Sequence, residues 1–499
     1  MDYVIGSGPA GVACARALLA RGRAVTMLDA GLILEESREA LRVTMAAQAP
    51  EEWTGEQHAM RRFLVQGEMP AFKLSHGSDY AYRAAPGAPG LEVGVPGVVA
   101  SYAQGGLSNV WGAAMLPYRP ADFAAWPVGV ADMAPAYKAV LGYVPLAGQA
   151  DALEPAFPFY VRPRFDMPVS RQADLLLRRL EGRKIPGVTA GRARLAVQAK
   201  NCIACGECLN GCPRDLIFST RPELAELRAA GMGYMPSTVV RGVAEDAHGV
   251  QIHALTDVGG QVFSGERVFV AAGVYGSTGL MLRSLGLERA EILDSQYFVM
   301  PLLGWGRSKD VMRERLHTLA QVFVEIEDAA VDAHNVHLQL YGYSDVLEAM
   351  IAQKLGPLRG LRALLLERAL VVQGYLHSDS SGRLEARLEG DVLRVTPRRN
   401  PATAKALRRV VRRLARLAPA LGAWPLAPLL QETLPGRGFH SGGSLPMRAA
   451  PGPGETDALG RPQGWRRTHI VDASVFPTIP AATITLTVMA NAWRIGHES

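Results

Sequence analysis

Cys202, Cys205, Cys208 and Cys212 are separated by two, two and three residues and followed by Pro213. This C-x2-C-x2-C-x3-C-P run gathers soft thiolates around an iron–sulfur cluster. Three of the cysteines, on a loop loosened by Gly206, can wrap one face of a cubane. Cys212 either bends round to complete a four-iron cluster, which is the expectation, or stands spare beside a three-iron one. The alternatives are a zinc site or free thiols, but zinc ligands usually fall in two separated pairs and these are continuous. The fifth cysteine, Cys14, lies in an apparent helix and reads as core filler.

An independent signal opens the chain. Residues 3–31 run strand, Gly6-Ser-Gly8-Pro-Ala-Gly11, helix, strand, Asp29. Gly6 allows the tight turn, Gly8 lets backbone approach a pyrophosphate, and Gly11 lets helix and strand pack closely. The helix N-terminus offers unpaired N–H groups to the anion, and Asp29 can accept from the adenosine ribose. This loop alone does not separate NAD from FAD. A nucleotide cofactor and a cluster on one chain imply redox chemistry.

Three later segments bear on that choice: Gly105-Gly106-Leu-Ser108-Asn109-Val110-Trp111, the run 267–286 around Ala272 and Gly273, and a C-terminal stretch with His440-Ser-Gly-Gly-Ser and Val-Asp472-Ala-Ser. Together with the first loop, in this order, they resemble the glucose–methanol–choline (GMC) oxidoreductase family. The resemblance implies FAD, with Gly6, Gly8, Gly11 and Asp29 on its ADP half and Gly106, Ser108, Asn109 and Trp111 beside the isoalloxazine. It further implies Val239 and Val240 against the adenine, Ala272 and Gly273 at a second flavin-facing strand end, and Asp472 on the ribityl or pyrophosphate portion. Pyranose oxidase, a relative, attaches its flavin through a histidine where Val110 stands here, so the flavin is expected to be non-covalent. His440 resembles the family's catalytic histidine, which faces flavin N5 and takes the hydroxyl proton; histidine's pKa near operating pH suits that task. The family's second partner, His or Asn, is missing from Pro477–Thr485. Ile479, Thr483 or Thr485 takes its place according to register, and a threonine hydroxyl orients an alcohol but is a poor base.

The elements that must position these groups follow. The expected fold is α/β: a Rossmann-like FAD-binding domain with an inserted sheet-based α+β substrate domain and an iron–sulfur loop at 200–215. The FAD domain is discontinuous, over residues 1–35, 95–120, 200–286 and 435–499; residues 36–94, 121–199 and 287–434 form substrate or cap regions. Alternation in Val-His337-Leu-Gln339-Leu-Tyr341-Gly-Tyr343 predicts a strand with one polar face. With His334, Tyr375 and His377 this face supplies pocket candidates; His334 and His337 do not make a metal pair without further ligands. Residues 402–417 predict a basic amphipathic helix with an apolar stripe of Leu407, Val410, Val411, Leu414 and Leu417. Its arginine face is ordinarily solvated, docking to an acidic carrier or membrane surface being the minor reading. Residues 345–370 are similarly helical and apolar.

The 499 residues, 48% hydrophobic and 20% charged, suit two intimately packed domains. The net charge of +6 comes from scattered arginines without a polybasic tail, which argues against nucleic acid. A chain opening directly into a strand leaves no room for a signal peptide, no apolar run spans a bilayer, and cluster cysteines suit a reducing compartment, so a soluble cytoplasmic protein is expected. The functional expectation is a dehydrogenase that oxidises a sugar, polyol, sterol or secondary-metabolite alcohol to a carbonyl. Its electrons leave through the cluster to a ferredoxin, cytochrome or quinone-linked carrier. The alternatives are a ferredoxin-fed reductase of a carbonyl or activated double bond, and a non-catalytic scaffold whose flavin site has decayed.

Overall fold

Four sheets organise the chain in the computed structural model, which describes residues 1–61, 73–344, 348 and 362–499. The first is five-stranded and parallel, in the order Thr468–Ile470, Arg267–Val270, Asp2–Ile5, Val25–Leu28, Gly233–Met235. It joins strands far apart in sequence, and its central strand Asp2–Ile5 feeds the glycine turn and the helix Pro9–Ala20. That helix packs on Thr485–Glu498: a Cβ on Gly496 would lie 2.9 Å from the Cys14 carbonyl oxygen, so glycine is required there. Cys14 is fully buried, as a core residue should be.

The second sheet has seven strands, all antiparallel. Its path runs Ala423–Pro425, Tyr297–Gly304, Ala369–Tyr375, Val336–Tyr341, Val322–Ile326, Val188–Arg192, and Gln431–Glu432 joins off this path. Period-2 alternation divides its two faces. Val324, Leu338, Leu340 and Val372 pack on one side against the helices Arg171–Leu180 and Pro401–Leu421. Glu325, His337, Gln339, Tyr341 and Tyr375 share the other. The strand predicted over this stretch is Val336–Tyr341.

Two further sheets, of five and three strands, complete the frame. Ser441–Gly442, Arg289–Asp294, Arg383–Glu389, Val392–Arg398 and Gly90–Val93 form one; Val239–Glu245, Val250–Thr256 and Gly259–Gly265 form the other.

The predicted basic helix spans Pro401–Leu421, opened by Asn400, whose side chain accepts from Ala402 N, and closed at Gly422 with φ +65°. Leu407, Val410, Leu414 and Leu417 are buried, whereas Val411 is only partly so; Lys405, Arg408, Arg412 and Arg416 are exposed. Of the predicted helical stretch 345–370, a short helix Arg362–Leu366 is seen and nearly all of the rest lies outside the described residues. No helix among the described residues is long and apolar enough to cross a membrane.

Candidate functional site

The glycine turn is held by backbone contact. Gly6 has φ +97°, and a Cβ on Gly11 would lie 1.9 Å from the Gly6 carbonyl oxygen, so strand and helix approach as only glycine permits. A Cβ on Gly8 would meet nothing within 4 Å, and one on Gly106 would lie 3.3 Å from Gly8 Cα. Two glycine-bearing loops thus face each other with open space beside Gly8, the room a pyrophosphate needs.

Asp29, at the end of its strand, is 5% exposed. Burial raises its pKa to about 6, against the opposing effect of hydrogen bonds from Ser7 (2.5 Å) and Tyr234 (2.9 Å) to Oδ2. Gly6, Asp29, Val239 and Ala272, four residues assigned to the nucleotide, line one cleft. Asp472 accepts from Ser277 Oγ (2.5 Å), which also accepts from Ala272 N, so it braces the turn into the helix Gly273–Leu285. Gly273, at φ +73°, has open space where a Cβ would be.

In the segment after Gly105, the side chains expected beside a flavin ring are used to shape the loop. Ser108 donates to Gly105 O (2.6 Å) and accepts from Thr220 N (3.1 Å); Asn109 donates to Gln104 O and Gly106 O. Trp111 Nε1 donates to Phe218 O at 2.7 Å. Val110 is buried among Leu34, Tyr80 and Ala103.

His440 follows Phe439, a non-glycine residue at φ +55°, a conformation that is strained and marks a held position. Ser295 N donates to its carbonyl, and Ser441 Oγ donates to Asp294, a carboxyl that burial pushes up to about 7. The His440 ring stacks on Tyr375, with centroids 4.7 Å apart. Its Nδ1 is buried without a partner among the described residues, and burial, then the nearby His337, lowers its pKa to about 3. It is therefore neutral at working pH with Nδ1 open to a hydrogen bond, and burial this deep makes it a weaker base than an ordinary histidine.

The C-terminal candidates lie differently. Ile479 is fully buried, Thr483 Oγ1 accepts from Leu116 N (3.0 Å), and Thr485 begins the last helix. His337 is the register partner of Tyr375, and Gln339 and Tyr341 follow on the same face. His334 and His377 stack face to face at 3.6 Å, with His334 Nε2 3.0 Å from Asp379. Lone pairs lie in the ring planes, so stacked rings aim theirs side by side and do not converge on one ion. Tyr343 bonds Glu348 instead.

The four clustered cysteines line one small cavity together with His317, and none forms a disulfide. Ala204, Gly206 and Gly211 have positive φ, which curls the loop. Backbone N–H groups of Ala204 and Leu216 donate to the sulfurs of Cys202 and Cys212, both at 3.4 Å, and Thr318 N–H donates to Cys208. Burial raises the Cys208 thiol to about 11.

Two buried cations that sequence reasoning missed face this loop. Arg61, fully buried, donates to the carbonyls of Gly211 and Asn210. Lys73 Nζ donates to Trp111 O (2.7 Å); burial lowers its pKa to about 8, with Cys208 and Cys212 as the opposing negative groups. Neither cation makes an ion pair with a carboxylate among the described residues. Glu207 is the principal counter-charge to Arg61, whereas the charges opposing the burial of Lys73 are those of Cys208 and Cys212.

Residues 374–492, which include His440 and Asp472, match the family model GMC_oxred_C, described as GMC oxidoreductase. No curated protein matches the sequence. Among solved structures, the crystal structure of pyridoxine 4-oxidase from Mesorbium loti is similar, with TM-score 0.60 and 14% identity over 100% of this chain and 98% of that one. At that identity the likeness concerns the fold. The C-terminal match and the fold together support an FAD-dependent oxidoreductase acting on a CH–OH group.

Proposed function

We propose that the chain is a non-covalent FAD dehydrogenase that oxidises an alcohol to a carbonyl and passes electrons through an iron–sulfur cluster to an external one-electron carrier. The observation that carries the reading is His440: a neutral imidazole with an unpartnered buried nitrogen, held by a strained backbone within the matched region. FAD supplies the hydride acceptor when bound. Gly6, Gly8 and Gly11 give its pyrophosphate backbone to rest on, and Asp29 holds the ribose. Gly106, Ser108, Asn109 and Trp111 would lie along the ring and Val239 against the adenine, with Ala272 and Gly273 at a second flavin-facing strand end and Asp472 on the ribityl or pyrophosphate portion. His440 engages the substrate hydroxyl and receives its proton. The FAD domain comprises 1–35, 95–120, 200–286 and 435–499, with the remainder forming the substrate region.

The cluster sits on Cys202, Cys205, Cys208 and Cys212. Support comes from the N–H donors to sulfur and from Arg61 and Lys73, which suit an anionic cluster better than neutral thiols. Lys73 bridges the Trp111 carbonyl and the cysteine loop, which favours a short path between flavin and cluster.

One observation favours the second reading, a ferredoxin-fed reductase: no His or Asn stands in 477–485. Anaerobic mixing separates the two. Bleaching of the flavin by an alcohol supports the dehydrogenase, and re-oxidation of dithionite-reduced flavin by a carbonyl supports the reductase. A His440→Ala protein is expected to keep FAD and lose alcohol-driven bleaching.

A further inference from the structure

Glu325 and His337 stand opposite each other on adjacent strands of the seven-stranded sheet, and both are fully buried. His337 Nδ1 lies 2.5 Å from Glu325 Oε1, and Glu325 Oε2 accepts from Asn335 Nδ2 at 2.7 Å. Arg119 donates to Asn335 Oδ1 and pairs with Asp122; among the described residues no arginine or lysine pairs with Glu325 directly. A buried carboxylate kept against a single imidazole fixes that ring's tautomer. Nδ1 carries the hydrogen, and Nε2 is left as an acceptor.

Nε2 meets the Gln339 amide nitrogen at 3.2 Å, and Gln339 Oε1 accepts from the Tyr341 hydroxyl at 2.7 Å. A hydrogen-bonded chain therefore runs from Asn335 through Glu325, His337 and Gln339 to Tyr341, which is partly exposed. All of these share the face that bears Tyr375. The Tyr375 ring lies 6.2 Å from His337 and stacks on His440, so the two histidines flank one wall. They are also close enough that charge on His337 disfavours charge on His440.

We propose that Glu325 and His337 form the second catalytic unit of the alcohol-oxidising site, supplying from the sheet the polar partner that residues 477–485 lack. The inference rests on the dehydrogenase reading above. To meet the substrate oxygen from the sheet side, His337 Nε2 exchanges its Gln339 amide contact for the substrate hydroxyl. As the alcohol becomes a carbonyl, the C–H bond breaks with its electron pair leaving as hydride to FAD. The O–H proton stays on the two-histidine pair, and the Glu325 carboxylate balances the positive charge that arrives.

The test uses the FAD-loaded full chain. Benzyl alcohol, glycerol, glucose and cholesterol are screened, and the one that reduces wild-type flavin fastest serves as probe. Glu325→Gln and His337→Gln are each expected to slow flavin reduction at saturating probe by ~10²-fold or more, with FAD content and the apparent dissociation constant of the probe unchanged. The double variant should be no slower than the slower single one, because the pair acts as a unit. Glu325→Asp, which keeps the carboxylate, should stay within about tenfold of wild type. Independently of turnover, proton NMR should show a far-downfield imidazole resonance that disappears in His337→Gln and moves upfield in Glu325→Gln.

Reduction within threefold of wild type in either single variant, multiplicative losses in the double, or a loss in Glu325→Asp as deep as in Glu325→Gln overturns the inference. Absence of the downfield resonance does so as well. His440→Ala separates the two levels. If it alone loses reduction, the sheet pair is not catalytic and the dehydrogenase reading stands; if no alcohol bleaches even the wild type, the reading itself fails.

Discussion

Replacing Gly8 with alanine separates a structural glycine from a ligand-facing one. Gly8 caps the helix Pro9–Ala20 at φ −66° and ψ −179°, which alanine adopts freely, and the new methyl would meet no atom within 4 Å. The ligand-free protein should therefore change in stability by no more than ~0.5 kcal/mol. With FAD bound, the methyl occupies the space of the pyrophosphate. Overpacking of that kind costs ~1–3 kcal/mol, which corresponds to roughly 5- to 150-fold weaker binding. Gly11→Ala is the contrast, since its Cβ would fall 1.9 Å from the Gly6 carbonyl oxygen, backbone against backbone. It should lower the melting temperature even without FAD. The assay pairs thermal melts of apoprotein with FAD titration followed by quenching of flavin fluorescence. Wild-type FAD affinity in Gly8→Ala, or an apoprotein melt lowered as far as that of Gly11→Ala, refutes the placement of the pyrophosphate.

Acid or heat should release the flavin intact, because Val110 offers no nucleophile; yellow colour retained in the denatured pellet counts against this. Iron and sulfide analysis of anaerobically prepared protein should find three or four irons and little zinc, and Cys205→Ser should lose them while keeping FAD. Stability should fall between about pH 6.5 and 4. His317, His377, His440 and His469 are held by burial at about 3 to 4, so in that window the unfolded chain binds protons that the folded one refuses. Asp29 and Asp294, raised to about 6 and 7, oppose the trend but are fewer; a melting temperature at pH 5 equal to or above that at pH 7 contradicts it. Cys208→Ser should cut turnover with ferricenium while leaving the first flavin reduction nearly unchanged, and wild type should form peroxide slowly; parallel loss of both rates, or fastest turnover with oxygen, removes the cluster from the electron path.

The features legible in sequence are those whose reason is local. Gly11 is dictated by its contact with Gly6 within a single strand–turn–helix unit, and Gly6 by the turn's positive φ. The cysteine run is one loop, and Val336–Tyr341 announces its polar face by alternation. Glu325 was invisible because a lone acid in Val-Phe-Val-Glu-Ile reads as an outward residue of an edge strand; only the antiparallel register that sets it against His337 reveals a pair. Arg61 and Lys73 were missed for a similar reason. Each lies more than a hundred residues from the cysteines it faces, and surface-type basic residues such as the Arg61-Arg62 pair are ordinarily solvated. The roles of Ser108 and Asn109 shift because Asn109 bonds only its own loop's backbone, while Ser108 bonds both that backbone and the distant Thr220, which the motif pattern does not reveal.

The cysteine loop is built into the same framework as the nucleotide loop. Thr220, at the start of the helix that follows the cysteines, donates to Ser7 O at 2.8 Å, and its N–H meets Ser108. Ser7 in turn reaches both Asp29 and Gly105. Trp111 closes a second tie to Phe218, and its carbonyl accepts from Lys73. These bonds are largely buried and mutually dependent, so the distance between the two regions is fixed by a network rather than by one contact. Under the proposed function, such ties would hold whatever the cysteines bind at a constant separation from the nucleotide loop.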